Sequence, residues 1–155
     1  MFQLIQCLTP KAVSAALIAP NKRSLFQQLS SIAAKAHGVD QHLVFDRLME
    51  RERLGSTGFG SGIAIPHGKI EGLTGVIGVC VSLKQAVDFE AIDDLPIDLV
   101  FMLLSPVDGG ADHLKALASV SRVMRDKRFV AKLRGAASND ALFALFSTQE
   151  VMNAA

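Results

Sequence analysis

Residues 51–73 contain the side chains of this sequence that are best suited to handling a phosphoryl group. Six of the twelve glycines lie between Gly55 and Gly72. Glycine loses more backbone freedom on folding than any other residue, so this density indicates sharp turns or a close approach to something bound. His67 is the one residue of the stretch that can serve as both a nucleophile and a proton carrier near neutral pH. The pattern predicts a loop that presents a histidine to phosphate.

A histidine that accepts a phosphoryl group needs one free ring nitrogen and a hydrogen bond that fixes the other. Pro66 restricts the backbone that leads into His67, and Gly68 leaves room for a partner protein. A cation must also balance the incoming charge of about −1.5 to −2. Arg51, predicted at the end of a helix, is the candidate.

The glycine-rich run before His67 offers further contacts for phosphate oxygens. Hydroxyl groups and successive backbone N–H groups both bind anions. The predicted contacts are the hydroxyls of Ser56 and Thr57 and the backbone N–H groups around Gly58, Gly60 and Gly62.

His113 opens the helix that is predicted after Pro106. The positive end of the helix dipole biases an imidazole there toward its neutral form, which suits a hydrogen-bond donor or a proton relay. His37 and His42 lie in and beside a connection between two helices, and no role is predicted for them.

Two familiar nucleotide-binding motifs do not fit this stretch. A P-loop needs Gly-x-x-x-x-Gly-Lys-Ser/Thr. The span 62–68 is one residue too long for it, and Ile70 replaces the required hydroxyl. The motif Gly-x-Gly-x-x-Gly also fails, because Ile63 or Ile65 stands where its third glycine is needed. Nucleotide binding by either device is not expected.

Hydrolase and metal chemistry have little support in the sequence. Ser61 stands among glycines, but Ile63 occupies the position of the second glycine in Gly-x-Ser-x-Gly. The four histidines are scattered, and Cys7 and Cys80 form no paired motif. We therefore expect no metal site and no cofactor.

The composition indicates a globular protein. A length of 155 residues suits one domain with a sizeable core, expected over residues 1–155. The net charge of +1 gives no reason to expect a nucleic acid as partner. Apolar runs such as Leu99–Leu104 are far shorter than the roughly 20 residues that cross a bilayer. Without a signal-peptide pattern either, a cytoplasmic location outside the membrane is expected.

Periodicity and turn residues predict interleaved helices and strands. The helices are expected from Asn21 to Gly38, from Asp40 to about Arg53, after residues 108–110, at 126–134 and at 138–146. The third of these should bury Leu114, Leu117, Val120 and Met124. Strands are expected near 15–18 and at 63–65, 73–83, 87–89 and 97–104. This alternation indicates one sheet with helices on both faces.

Three motifs in this stretch closely resemble the signature of phosphotransferase-system IIA domains of the mannitol/fructose class (EIIA type 2). They are Arg51-Glu52, Gly55-Ser56-Thr57-Gly58-Phe59-Gly60 and Gly62-Ile63-Ala64-Ile65-Pro66-His67-Gly68-Lys69. The resemblance continues through residues 89–93, 96–101, 113–114 and 133–134 and covers nearly the whole chain. The nitrogen-regulatory branch of the class is the most similar, and Lys69 agrees with it.

The resemblance implies an α/β (α+β) fold, in which a single mixed sheet is sandwiched between helices. It also implies that His67 takes a phosphoryl group from a phosphohistidine on an HPr-like protein, with Arg51 and His113 beside the site. Such a component acts only together with partner proteins. Its acceptors would be regulatory target proteins or a sugar permease domain.

Three functions remain open at this point. No fused membrane or carrier domain is expected from the sequence, and this expectation favours regulation through the phosphorylation state. Stand-alone sugar-specific IIA subunits of the fructose/mannitol class also exist. A protein-binding module that is never phosphorylated would use the same loop as a docking surface.

Overall fold

A mixed sheet of six strands forms the centre of the computed structural model, which describes the backbone of residues 3–154 and the side chains of residues 3–148. Residues 1, 2 and 155 of the predicted domain lie outside the described residues. The strands are β1 (Val13–Leu17), β2 (Gly58–Gly60), β3 (Ile63–Ala64), β4 (His67–Ile70), β5 (Ile77–Val87) and β6 (Ile97–Pro106).

The strand order is β1-β5-β6-β3-β2, and β4 also pairs with β6. Strand β6 runs antiparallel to β5 and parallel to both β3 and β4, which pair with successive parts of its length. Strand β1 is parallel to β5, and β2 is antiparallel to β3. The predicted mixed sheet is therefore confirmed.

Within residues 3–154, five α-helices and two short 3₁₀ turns, Leu4–Cys7 and Pro10–Ala12, accompany the sheet. The helices are α1 (Lys22–His37), α2 (Gln41–Arg53), α3 (Gly110–Met124), α4 (Lys127–Gly135) and α5 (Asn139–Ala154). Among the described residues, no helix has the length and apolar character needed to cross a membrane.

The helices cover both faces of the sheet, as β6 shows. Neighbouring residues of a strand point to opposite faces. The ring of Phe101 packs edge-on against Phe146 of α5, with ring centroids 5.7 Å apart. On the other face, a Cβ added at Gly68, which pairs with Leu104, would lie 3.5 Å from the Cβ of Arg47 on α2. The predicted sandwich is confirmed.

The caps of the first two helices agree with their sequence signals. The side chain of Asn21 accepts a hydrogen bond from the backbone N–H of Ser24, and that of Asp40 accepts one from Leu43. Gly38 ends α1 in the left-handed conformation, with φ of 75°. This end leads into α2, which carries Arg51 in its last turn.

Two strand predictions are wrong in their bounds. Strand β5 begins at Ile77, after a turn at Gly72 with φ of 89°, and it continues to Val87. The separate strand predicted at 87–89 is therefore the end of β5 followed by a loop. Strands β2 and β4 are not predicted, because three or four residues that include glycine show too little alternation.

Two helix predictions also need correction. Leu114 is 68% exposed, so its expected place in the core is wrong. The inner face of α3 instead begins at the preceding residue, His113, and continues through Val120 and Met124 as predicted. Helix α5 extends to Ala154, beyond the expected end near residue 146.

Candidate active site

Strand β4 places His67 and Lys69 on the same face of the sheet. Alternate residues of a strand point to the same side. His67 lies beside Leu103 of β6, and Lys69 lies beside Ser105. The side chain of Ser105 contacts His113 of α3, so both β4 side chains point toward the face that α3 covers. The strand thus brings a half-buried imidazole and an exposed cation together.

Hydrogen bonds fix the two ring nitrogens of His67 in different roles. Nδ1 lies 2.8 Å from the carbonyl oxygen of Ile65, and this acceptor requires the proton to be on Nδ1. Nε2 therefore keeps its lone pair, which accepts a bond from Nε of Arg51 at 3.3 Å. Arg51 also donates from Nη1 to the carbonyl of Gly55 at 2.9 Å.

The surroundings of His67 favour its neutral form. Burial lowers the pKa of the imidazole, and the positive charge of Arg51 lowers it further. The hydrogen bond to Ile65 and the carboxylate of Glu52 act in the opposite direction, but the pKa remains below that of an ordinary histidine. A neutral imidazole with a free lone pair is the form that attacks phosphorus.

His113 is the second imidazole of the site. Its ring centroid lies 5.7 Å from that of His67, with 51° between the ring planes. The side chain is 9% exposed, and its Nδ1 is 2.6 Å from the buried hydroxyl of Ser105. Burial lowers its pKa, and repulsion from a protonated His67 and from Lys69 lowers it further. His113 is therefore neutral near pH 7 and holds a single ring proton.

His67 lines two cavities. The first, here called the His67 cavity, has a volume of about 570 Å³ and also contains Arg51, Lys69 and His113. Its other charged lining residues are Arg47, Glu50 and Glu71. Arg47 and Glu50 pair at 3.2 Å, so Arg51 and Lys69 are the cations best placed to meet an anion.

The second cavity, here called the hydroxyl cavity, has a volume of about 340 Å³ and brings His67 together with Ser56, Thr57 and Gly58. The hydroxyl of Thr57 donates to Glu52 at 2.7 Å, and the N–H of Gly58 donates to the hydroxyl oxygen of Ser56 at 3.0 Å. The Thr57 hydroxyl and the Gly58 N–H, both predicted to bind phosphate, therefore already donate to acceptors within the protein. The hydroxyl hydrogen of Ser56 has no acceptor among the described residues.

Gly60 and Gly62 lie in the hairpin of β2 and β3 and line neither of these cavities. Gly60 lines a third one, of about 740 Å³, here called the Arg134 cavity. Gly62 has φ of 82°, and a Cβ there would lie 2.7 Å from Nη2 of Arg134. These glycines shape the hairpin turn and its packing, and the structure does not bring them into the two cavities that contain His67.

Sequence reasoning did not select two further residues near His67. Lys69 follows by two positions on β4, a spacing that becomes informative only once the strand is known. Glu52 accepts bonds from the backbone N–H and hydroxyl of Thr57 and pairs with Lys22 at 2.9 Å. Its carboxylate is 6% exposed and anchors the loop that follows α2.

An edge-strand histidine that faces an arginine and a second histidine, on a mixed sheet between helices, is the arrangement expected of a IIA-type phosphotransfer domain. The sequence model described as "Phosphoenolpyruvate-dependent sugar phosphotransferase system, EIIA 2" matches residues 6–149. The chain therefore belongs to this family.

Similar proteins include several nitrogen regulatory proteins. The one from Bradyrhizobium diazoefficiens is 41% identical over 140 residues, which cover 90% of this chain and 92% of the relative. The one from Escherichia coli K12 is 37% identical over 149 residues, which cover 96% of this chain and 91% of the relative. The crystal structure of nitrogen regulatory protein IIA-Ntr from Neisseria meningitidis superimposes with a TM-score of 0.85 at 28% identity, covering 92% of this chain and 97% of that one.

Proposed function

We propose that the protein is a cytoplasmic phosphocarrier that accepts a phosphoryl group on Nε2 of His67 from a phosphohistidine of an HPr-like protein. The observation that carries this proposal is the pairing of Nδ1 with the carbonyl of Ile65. It leaves one nucleophilic nitrogen, which faces Arg51 in the His67 cavity. The resulting phosphorylation state then serves as a regulatory signal.

The phosphoryl transfer step requires no net transfer of a proton. The lone pair of Nε2 attacks phosphorus in line with the N–P bond of the protonated donor phosphohistidine. A new N–P bond forms on His67, the donor bond breaks, and the donor imidazole keeps the electron pair. His67 keeps its Nδ1 proton and gains the positive ring charge that the donor loses, and the bond to Ile65 stabilises that charge.

The residues around Nε2 support the step by positioning and electrostatics. The guanidinium of Arg51 lies against the attacking nitrogen, so it can shift to the phosphoryl oxygens as the new bond forms. Lys69 adds a second positive charge, and His113 offers a ring nitrogen to an equatorial oxygen. Preorganised donors of this kind stabilise the charge of the transition state.

The rim of the His67 cavity supports a protein as the phosphoryl donor. Leu54 is 84% exposed and Val107 is 53% exposed, and both line the cavity. Leu114, next to His113, is 68% exposed. Exposed apolar side chains around a reactive group are typical of a docking surface.

The central experiment is phosphoryl transfer from phosphoenolpyruvate through enzyme I and an HPr-like protein, followed by intact-mass measurement. We expect the wild type to gain one phosphate and His67→Ala to gain none. His42→Ala is the matched control, because His42 is exposed and lies outside the site. Uptake by His67→Ala would disprove the assignment, and a wild type that never takes phosphate would favour a pure binding module.

The names of the curated relatives support a regulatory role over sugar uptake. Capture of target proteins from a lysate with the phosphorylated form and with His67→Ala tests this role. Proteins that bind only one of the two forms would support signalling. Transfer of the phosphate onward to a sugar-specific permease domain would instead favour the sugar-specific IIA subunit.

A further inference from the structure

The hydroxyl of Ser105 is buried between β6 and α3, next to the second imidazole of the site. Ser105 is fully buried, and its Oγ lies 2.6 Å from Nδ1 of His113. Such a short O···N contact requires a shared proton, which belongs either to the hydroxyl or to Nδ1. The two arrangements leave different chemistry at the other ring nitrogen, Nε2.

The burial of Ser105 selects one arrangement. If Nδ1 of His113 donated to Oγ, the hydroxyl proton would need another acceptor, and within the described part of the chain there is none. A buried donor without a partner is unfavourable, because it gives up its hydrogen bonds to water and gains none in the protein. If the hydroxyl donates to Nδ1 instead, both groups are satisfied. The neutral ring then carries its proton on Nε2.

We propose that Ser105 is a positioning residue that fixes the Nε2–H tautomer of His113, so that this imidazole donates a hydrogen bond to the phosphoryl group on His67. The inference rests on the proposed function for its consequence, but the tautomer itself does not. Nε2–H has no acceptor among the described residues, and His113 lines the His67 cavity. With the opposite tautomer, a lone pair on Nε2 would face the phosphoryl oxygens and repel them.

The tautomer is tested directly by ¹⁵N NMR of the unphosphorylated protein at pH 7.5, with His113→Gln to assign its resonances. We expect Nε2 of His113 to show the chemical shift of a protonated nitrogen and Nδ1 that of a hydrogen-bonded lone pair. In Ser105→Ala, the Nδ1 resonance should move toward the value of an imidazole without a partner. A proton on Nδ1 in the wild type would overturn the proposal.

The functional consequence is tested by the rate of phosphoryl acceptance. We expect Ser105→Ala to lower kcat about tenfold, by analogy with the loss of a partner that orients a metal-ligating histidine, with little change in the KM for the donor protein. Ser119→Ala is the control, because Ser119 is a buried serine that lies on α3. Its kcat should stay within about twofold of the wild-type value. Circular dichroism and the melting temperature confirm that both variants fold.

The outcomes separate the two proposals. A wild type without phosphoryl uptake would reject the proposed function, while the NMR result would still decide the tautomer. Uptake by the wild type, together with a Ser105→Ala rate within twofold of it, would reject the positioning role alone.

Discussion

The His67 cavity and the Arg134 cavity both contain cations, but they use them differently. The Arg134 cavity is the larger, at about 740 Å³ against about 570 Å³. Its guanidinium groups are occupied: Arg134 pairs with Asp98 at 2.9 Å, and that of Arg125 lies 5.3 Å from the ring centroid of Phe59. In the His67 cavity, Arg51 faces a nucleophilic nitrogen instead.

Volume and positive charge therefore do not by themselves distinguish the proposed phosphoryl site from the Arg134 cavity. The lining of the Arg134 cavity includes no histidine, cysteine or carboxylate. Its two arginines contact the β2–β3 hairpin: Arg134 donates to the carbonyl of Ser61 at 2.6 Å, and Arg125 lies over the ring of Phe59. The smaller cavity combines a nucleophile with cations that are available to an anion.

The largest contrast is expected between Arg51→Ala and Arg134→Ala. Loss of Arg51 should lower kcat/KM for phosphoryl acceptance about 100-fold, as for a lost charge-stabilising donor. Loss of Arg134 should leave this constant within about twofold but lower the melting temperature, because Asp98 loses its partner. Steady-state transfer kinetics and thermal unfolding measure the two effects. An equal kinetic loss in both variants would contradict the division between the cavities.

A change at Glu52 should act first on stability. Glu52→Gln leaves the ammonium group of Lys22 without its carboxylate partner and weakens the bonds to Thr57. We expect a loss of about 2 kcal/mol in the free energy of unfolding, below the range for fully buried pairs because Lys22 is partly exposed. Glu50→Gln is the control, since its pair with Arg47 is exposed and worth under about 1 kcal/mol. Urea unfolding of both variants measures these losses. A larger loss for Glu50→Gln than for Glu52→Gln would contradict the prediction.

The two exposed lysines of the cavities provide a finer comparison. Lys69→Ala should reduce the rate of phosphoryl acceptance about tenfold, because one of two unpaired charges near the phosphoryl group is lost. Lys127→Ala, in the Arg134 cavity, should stay within about twofold. The comparison is most sensitive at low salt, where exposed charges are least screened. Similar rates for the two variants would contradict a role for Lys69 in phosphoryl acceptance.

The pH dependence gives the smallest but most direct readout of the site. Because the pKa of His67 is lowered, its neutral form persists below the usual histidine value of about 6.5, and acceptance should decline only as pH falls through the lowered pKa. Removing the charge of Arg51 should raise this pKa, whereas Glu52→Gln should lower it further. NMR titration of the His67 imidazole in each variant tests the direction of both pKa changes. Arg134→Ala should leave the titration unchanged.

Much of the framework is predictable because local signals determine it. Asn21, Gly38 and Asp40 mark helix ends through side-chain caps and a left-handed glycine, which depend on neighbouring residues alone. The long apolar run at 97–104 predicts the central strand β6 for the same reason. These signals place Arg51 in the last turn of α2 and His113 in the first turn of α3, and the resemblance to the IIA family implies that both lie beside His67.

The rest of the site depends on contacts between distant segments. Lys69 joins His67 only through the pairing of β4 with β6, and Ser105 reaches His113 only because α3 packs on that face. The glycine pattern also cannot show that Gly58 makes room for Ala91, whose Cβ would lie 2.6 Å from an added Cβ. Such facts follow from packing and not from spacing.

The bond between Nδ1 of His67 and the carbonyl of Ile65 has a kinetic consequence. Under the proposed function, one ring nitrogen is tied to the backbone, so the phosphohistidine donor and any group that later removes the phosphoryl group would both approach phosphorus along the axis of Nε2. The two partners therefore compete for one docking position, and no ternary complex can form productively. Under the proposed chemistry, exchange between them follows ping-pong kinetics, in which an excess of either partner inhibits turnover.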